Sequence, residues 1–165
     1  MRAVEHSATN DQYKNDFVVF PSSIPFRPPL VTPRPVVAGN HTATVSGSSG
    51  EEIWTDAYGR IKVKFHWDRS KTEHENTSCW VRVAQTVAGN GWGHFFLPRV
   101  GQEVIVSYVD GDPDRPLVTG CVYNQSSTLP YAMPSMQTRS TIMSRSSKSG
   151  TAGNEIRMED KTGSE

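Results

Sequence analysis

The chain has 165 residues, 35% of them hydrophobic, with 17 basic residues balanced by 17 acidic ones. That length holds about one ordinary domain with extensions, and a neutral balance leaves no overall field to attract nucleic acid or an anionic membrane. Eleven prolines and 13 glycines weigh against long helices and favour an all-β chain. No apolar run approaches a membrane span, and the opening MRAVEHSATND lacks the apolar segment of a signal peptide. The expectation is a soluble chain made in a reducing cytoplasm. Cys79 and Cys121 are too few for a disulfide scaffold. They read as buried free thiols, with a disulfide between neighbouring strands left open.

Residues 1–37 do not read as an independent domain. Six prolines fall between Pro21 and Pro35, each removing a backbone donor and fixing φ. The segment is expected to be extended, with at most short edge-strand pairing. Phe17, Val18, Val19 and Phe20 are apolar enough to need a partner surface, and Pro28 to Pro35 reads as a semi-rigid connector.

Residues 38–125 carry the predicted core. Thr42 to Val45 is a short strand, and Glu51 to Trp54 leads into the turn Asp56-Ala57-Tyr58-Gly59. Next comes the cleanest alternation in the chain. Ile61, Val63, Phe65 and Trp67 share one face and are expected to be core, while Lys62, Lys64 and His66 share the other. Asp68 to Ser78 is an exposed, mobile loop, and Cys79 to Val83 the next strand. Ala88 to Gly93 is a glycine-rich loop.

The strongest local signal is the hairpin from Glu103–Val109 to Pro116–Tyr123. Its turn, Asp110-Gly111-Asp112-Pro113-Asp114-Arg115, gathers the residue types that reverse a chain. Five or six short strands in this span suit a small OB-fold-like five-stranded barrel. Residues 126–150 contain eight serines, three basic residues and no acid, and read as a solvated linker. Residues 151–165 restart an alternation, with Ile156 and Met158 on one side. The chain reads as a piece of a longer protein at both ends.

Enzyme-like readings are weak. The aspartates 56, 68, 110, 112 and 114 sit at turns and strand ends, where Asp bonds its own backbone. His66, His74 and His94 show no paired ligand spacing for zinc. Gly89 to Gly93 lacks the ending and the following helix of a phosphate loop. The lysine face of residues 62–66 has no aromatic between its charges, which disfavours a nucleic-acid platform. No catalytic residue, cofactor or metal is predicted. Trp92 is expected to reach another surface or to fold back on the barrel end. Trp54 and Trp80 are either core or interface. Lys71, Glu73 and Glu75 in the long polar loop are candidate docking residues.

Four motifs occur in order: DxxGRIxVxFxWD from Asp56, SCWVRVAQ from Ser78, PRVGQEV from Pro98 and GDPDRPxxTG from Gly111. In this the chain resembles the VgrG spike proteins of bacterial type VI secretion systems, themselves similar to the central tail spike of contractile phages. The resemblance runs from about Tyr13 to the end and is densest from Gly50 to Asn124. It implies that residues 1–37 end a spike base domain, that 38–125 are an OB-fold neck, and that 151–165 begin a trimeric β-helix needle. A lone needle strand cannot bury Ile156 and Met158, whereas three chains together can.

The function implied is structural: a homotrimer at the tip of the secretion tube that pierces target cells and delivers effectors. Implied partners are the tube protein, effector or adaptor proteins and a tip protein, with the target membrane met only through the needle tip. Assembly in the bacterial cytoplasm followed by ejection is implied as well. The alternatives are a phage baseplate spike and an OB-fold module that docks an effector or adaptor.

Overall fold

The computed structural model describes residues 3–164; Met1, Arg2 and Glu165, at the outer ends of the first and last predicted segments, lie outside the described residues. The chain divides into two units, one ending at Arg34 and one beginning at Pro35.

In the first unit, β1 (Ala3–Ala8) and β2 (Tyr13–Val18) form an antiparallel hairpin. Its reversal is held by the Thr9 N–H donating to Gln12 O at 2.8 Å. None of its described residues is buried, so neither face imposes a period-two pattern. That is why β1 carried no sequence signal. Beyond β2 the proline-rich stretch runs without strands, with Phe20 stacked on Phe26 at 5.6 Å.

The second unit is built on five strands: β3 (His41–Ser46), β4 (Lys62–Phe65), β5 (Arg82–Val83), β6 (Glu103–Tyr108) and β7 (Pro116–Val122). Their order is β4-β3-β6-β7-β5, antiparallel except for the parallel β5–β7 pair. A bulge between Ile105 and Val106 shifts the β6–β7 register, and an extra residue of this kind bends a sheet. The curled sheet is tied edge to edge by Ile61 and Val81. These exchange both backbone hydrogen bonds, at 2.9 and 2.7 Å. One residue pair thus bridges the two edges of the half-barrel, just before β4 and just before β5.

The core is small and almost entirely β-branched: Ala43, Val45, Ile61, Val63, Val81, Val104, Val106 and Val118. Stiff β-branched side chains suit a pleated interior of this size. Phe65, Val83 and Tyr108 pack against it from the rim.

Several expectations need correction. Trp67 is not core: it is 62% exposed. β4 ends at Phe65, whose carbonyl accepts the Asp68 N–H at 3.1 Å, so the chain turns before the alternation reaches Trp67. The indole instead stacks on Phe65 at 5.0 Å, beside His41. Cys79 and Cys121 are free and exposed rather than buried; one lies in irregular chain before β5 and the other near the end of β7. Residues 51–54 form no strand, although the Glu52 carbonyl accepts the Val100 N–H at 2.9 Å.

The serine-rich stretch contains a strand. β8 (Arg139–Met143) pairs antiparallel with β9 (Glu155–Glu159) from Arg139↔Glu159 to Met143↔Glu155. The ladder continues as Ser144 N–H donates to Asn154 O and Ser146 N–H to Ala152 O, both at 2.8 Å. Serine-rich composition hid β8, because its alternation lacks an apolar face. Within one chain these strands form a hairpin. None of the described residues from Arg139 to Ser164 is buried.

Candidate functional site

The surface of the second unit falls into three places. The first is the loop from Asp68 to Ser78. Lys64 projects from β4 into an oxygen cage, donating to Asp68 Oδ2 at 2.9 Å, Ser70 O at 3.0 Å and Thr72 O at 2.9 Å, with Ser70 Oγ at 3.2 Å. A lysine has three donors, and here the loop saturates them. The Lys64 bond, followed by the Ser70 backbone N–H, lowers the Asp68 carboxyl to about 2.

Lys62, two residues earlier on the same face, donates to Glu75 O at 2.5 Å and lies over the Trp80 ring at 5.0 Å. The lysines of this face therefore hold the loop, and the loop expected to be mobile is folded onto them. Its reversal includes a short 3₁₀ turn at His74–Asn76. Lys71 and Glu73 point outward and Glu75 is half-buried.

The second place is the glycine loop and its flank. Trp92 is 70% exposed, and its ring lies against Gly89, where a Cβ would fall 2.3 Å from Cε2. Trp92 folds back on its own loop rather than on the barrel end and still presents most of its surface. Nearby, Gln85 imitates a strand partner. Its amide donates to Phe96 O at 2.8 Å and accepts the Phe96 N–H at 2.9 Å. Phe95 and Phe96 remain exposed.

The third place is the barrel exit and the β8–β9 hairpin. Glu103 accepts from Asn124 Nδ2 at 2.8 Å, with His66 Nε2 at 3.8 Å. Asn124 Oδ1 in turn accepts the N–H groups of Ser126 and Ser127 at 2.9 and 2.7 Å. The Asn124 bond, then Thr42, lowers the Glu103 carboxyl. In the hairpin, Glu159 accepts from Thr138 Oγ1 at 2.6 Å and Arg139 Nε at 2.7 Å. Tyr131 lies against the Arg139 guanidinium and hydrogen-bonds Glu155. Ile142, Met143, Ile156 and Met158 are all exposed on this clamped frame.

The β6–β7 turn is a structural device. Asp110 and Gly111 adopt left-handed backbone, at φ 57° and 71°. Asp112 Oδ1 accepts the Asp114 N–H at 2.9 Å, and Arg115 reaches Asp110 Oδ2 at 2.8 Å rather than Asp112 or Asp114. Pro113 sits at its exposed tip. Val36 and Val37, the last residues of the first predicted region, lie on this turn, with Val37 N–H donating to Gly111 O at 2.8 Å. Asp56 likewise organises its own turn, accepting the Tyr58 and Arg60 N–H groups at 2.9 and 3.0 Å. Desolvation raises Asp56, but the Arg60 guanidinium and these N–H groups outweigh it and hold the carboxyl low. Among the described residues no group of three or more His, Cys, Asp or Glu side chains converges.

This is a small, curled five-stranded half-barrel bridged at its edges by one residue pair, with folded loops on its surface and a polar hairpin at its exit. Residues 51–123 match the model of the type VI secretion system/phage-baseplate injector OB domain, which defines the class of this protein. Over 156 residues, 93% of the chain, it is 54% identical to the type VI secretion system spike protein VgrG1b and 55% identical to VgrG1c, both of Pseudomonas aeruginosa. It is 45% identical over 153 residues to the spike protein VgrG3 of Vibrio cholerae. The chain belongs to this VgrG spike family. It spans 21%, 22% and 15% of those three relatives, so it corresponds to a limited part of each.

Proposed function

We propose that this chain is the neck of a type VI secretion puncturing spike. In this reading its role is mechanical rather than enzymatic: a homotrimer at the tip of the secretion tube, assembled in the cytoplasm, ejected, and carrying effectors into target cells. The barrel spans from 38 to 125, between the end of a base domain and the lead-in to a three-chain β-helix. The tube protein, an effector or adaptor and a tip protein are its partners, and the target membrane is met only through the needle tip. The observation that carries the reading is the β8–β9 hairpin, a two-stranded sheet with Ile142, Met143, Ile156 and Met158 exposed at 48%, 39%, 67% and 54%. An isolated two-stranded sheet is marginal in water, and neighbouring copies supply the missing cover. Removing residues 140–165 should weaken self-association, measured by light scattering behind a sizing column across loading concentrations. Equal association with and without them, or a stable dimer, contradicts the threefold neck.

A second role on the same scaffold is docking of an effector or adaptor through the loop at 68–78. The lysine cage favours it, because a pre-ordered loop loses less entropy on binding. Charge reversal at Lys71, Glu73 and Glu75 should abolish capture of such a partner while leaving the chain folded. Capture at unchanged affinity would exclude this surface.

A further inference from the structure

Two residues on the barrel reach the far tip of the β8–β9 hairpin. Arg99 Nη1 donates to Glu52 Oε1 at 2.6 Å, and each partner is less than a third exposed. The pair does not end with itself. Arg99 Nη2 donates to the Arg145 carbonyl at 2.5 Å, and Glu52 Oε2 accepts the Ser149 N–H at 3.2 Å. Both barrel residues are themselves fixed. Arg99 N–H is bound by Gln102 Oε1 at 2.8 Å, and the neighbouring Val100 N–H by the Glu52 carbonyl at 2.9 Å. A planar guanidinium and a two-oxygen carboxylate suit this double use, since each keeps spare hydrogen-bonding capacity after pairing.

The hairpin tip is shaped to meet them. Lys148 and Ser149 are consecutive non-glycine residues in left-handed backbone, at φ 54° and 61°. Such a conformation persists only where its surroundings over-determine it. The Ser149 N–H is the group that Glu52 takes. Across the tip Arg145 Nη1 donates to Thr151 O at 3.0 Å. Gly153 passes so close to Ser144 that a Cβ there would fall 2.1 Å from its carbonyl oxygen.

We propose that the Glu52–Arg99 pair is a joint that seats the tip of the hairpin, residues 145–149, on the barrel, so that the lead-in leaves the barrel in a fixed position instead of as a flexible tether. Its purpose, carrying load from barrel to needle, rests on the spike reading; the contacts lie within one chain, so their failure is distinguishable from failure of that reading.

Trypsin cuts after Arg145 and Lys148, and its access there reports whether the tip is seated. In Glu52→Ala and Arg99→Met, cleavage at these two bonds should accelerate about tenfold at the same chain concentration. Amide exchange at Val104 and Val106 should stay slow. The charge swap Glu52→Arg with Arg99→Glu keeps an ion pair but sets no carboxylate against the Ser149 N–H, so it should be cut as fast as the single variants. If a single variant loses barrel protection, the swap decides. Wild-type resistance in the swap, or in both single variants with the barrel intact, overturns the joint.

Discussion

The barrel and the β8–β9 hairpin are both antiparallel β-structure in one unit, yet different forces hold them. The barrel buries eight aliphatic side chains and ties its sheet edges through Ile61 and Val81. The hairpin buries nothing and is framed by polar clamps: Arg139 with Glu159, Tyr131 with Glu155, and Glu52–Arg99 at its tip. Hydrophobic burial scales with area removed from water, whereas ion pairs at a surface, even half-buried ones, add less and weaken with salt. The barrel therefore has its own reason to be folded. The hairpin has a defined shape without a core, the condition of a part awaiting neighbours.

The sharpest way to break that comparison is to remove one isoleucine from each region. Ile61→Ala deletes a fully buried side chain at the closure pair and should cost about 2–5 kcal/mol. That is a large share of the roughly 5–15 kcal/mol by which a domain is stable. Ile156→Ala removes a side chain that is 67% exposed and should leave the denaturation midpoint of the single chain unchanged. Urea titrations followed by tryptophan fluorescence test both. A matching loss at Ile156 would mean that the hairpin face is buried within one chain, against the contrast drawn here.

How much of this was readable beforehand follows the same divide. Where burial imposes a period, as at Ile61 and Val63 or Val104 and Val106, sequence and structure agree. The turn from Asp110 to Arg115 was legible because Asp, Gly and Pro each have a local backbone reason to be there. Trp67 misled because alternation does not announce where a strand ends. β8 was invisible because a strand held by backbone pairing and polar clamps has no hydrophobic signature. The Glu52–Arg99 contact was equally hidden, since Ser149 lies far along the chain from Glu52 and only the folded barrel brings them together. The lysine cage was hidden for a related reason: nothing local tells whether an ammonium meets water or four oxygens from the next loop.

That last point yields the smallest effect, and it bears on how far polar clamping alone can order a segment. The Asp68 carboxyl titrates at about 2 against an ordinary 3.8, chiefly because of Lys64. A carboxylate depressed on folding contributes its stability fully above the ordinary value and loses it as pH falls through the folded one. The 68–78 loop should therefore stay pinned through mildly acidic conditions and loosen only between about pH 3.8 and 2. Carboxyl-carbon NMR of Asp68 across that range reads the midpoint directly. Lys64→Met removes the ammonium and should move that midpoint up toward 3.8, while amide exchange at Ser70 quickens and the barrel amides of Val104 and Val106 stay protected. A midpoint already near 3.8 in the unaltered chain would mean that solvent screens the cage and that the loop is held by Lys62 and its own 3₁₀ turn instead. The loop would then resemble the hairpin, shaped by contacts too weak to order it alone, and the barrel would be the one part of this unit that is self-sufficient.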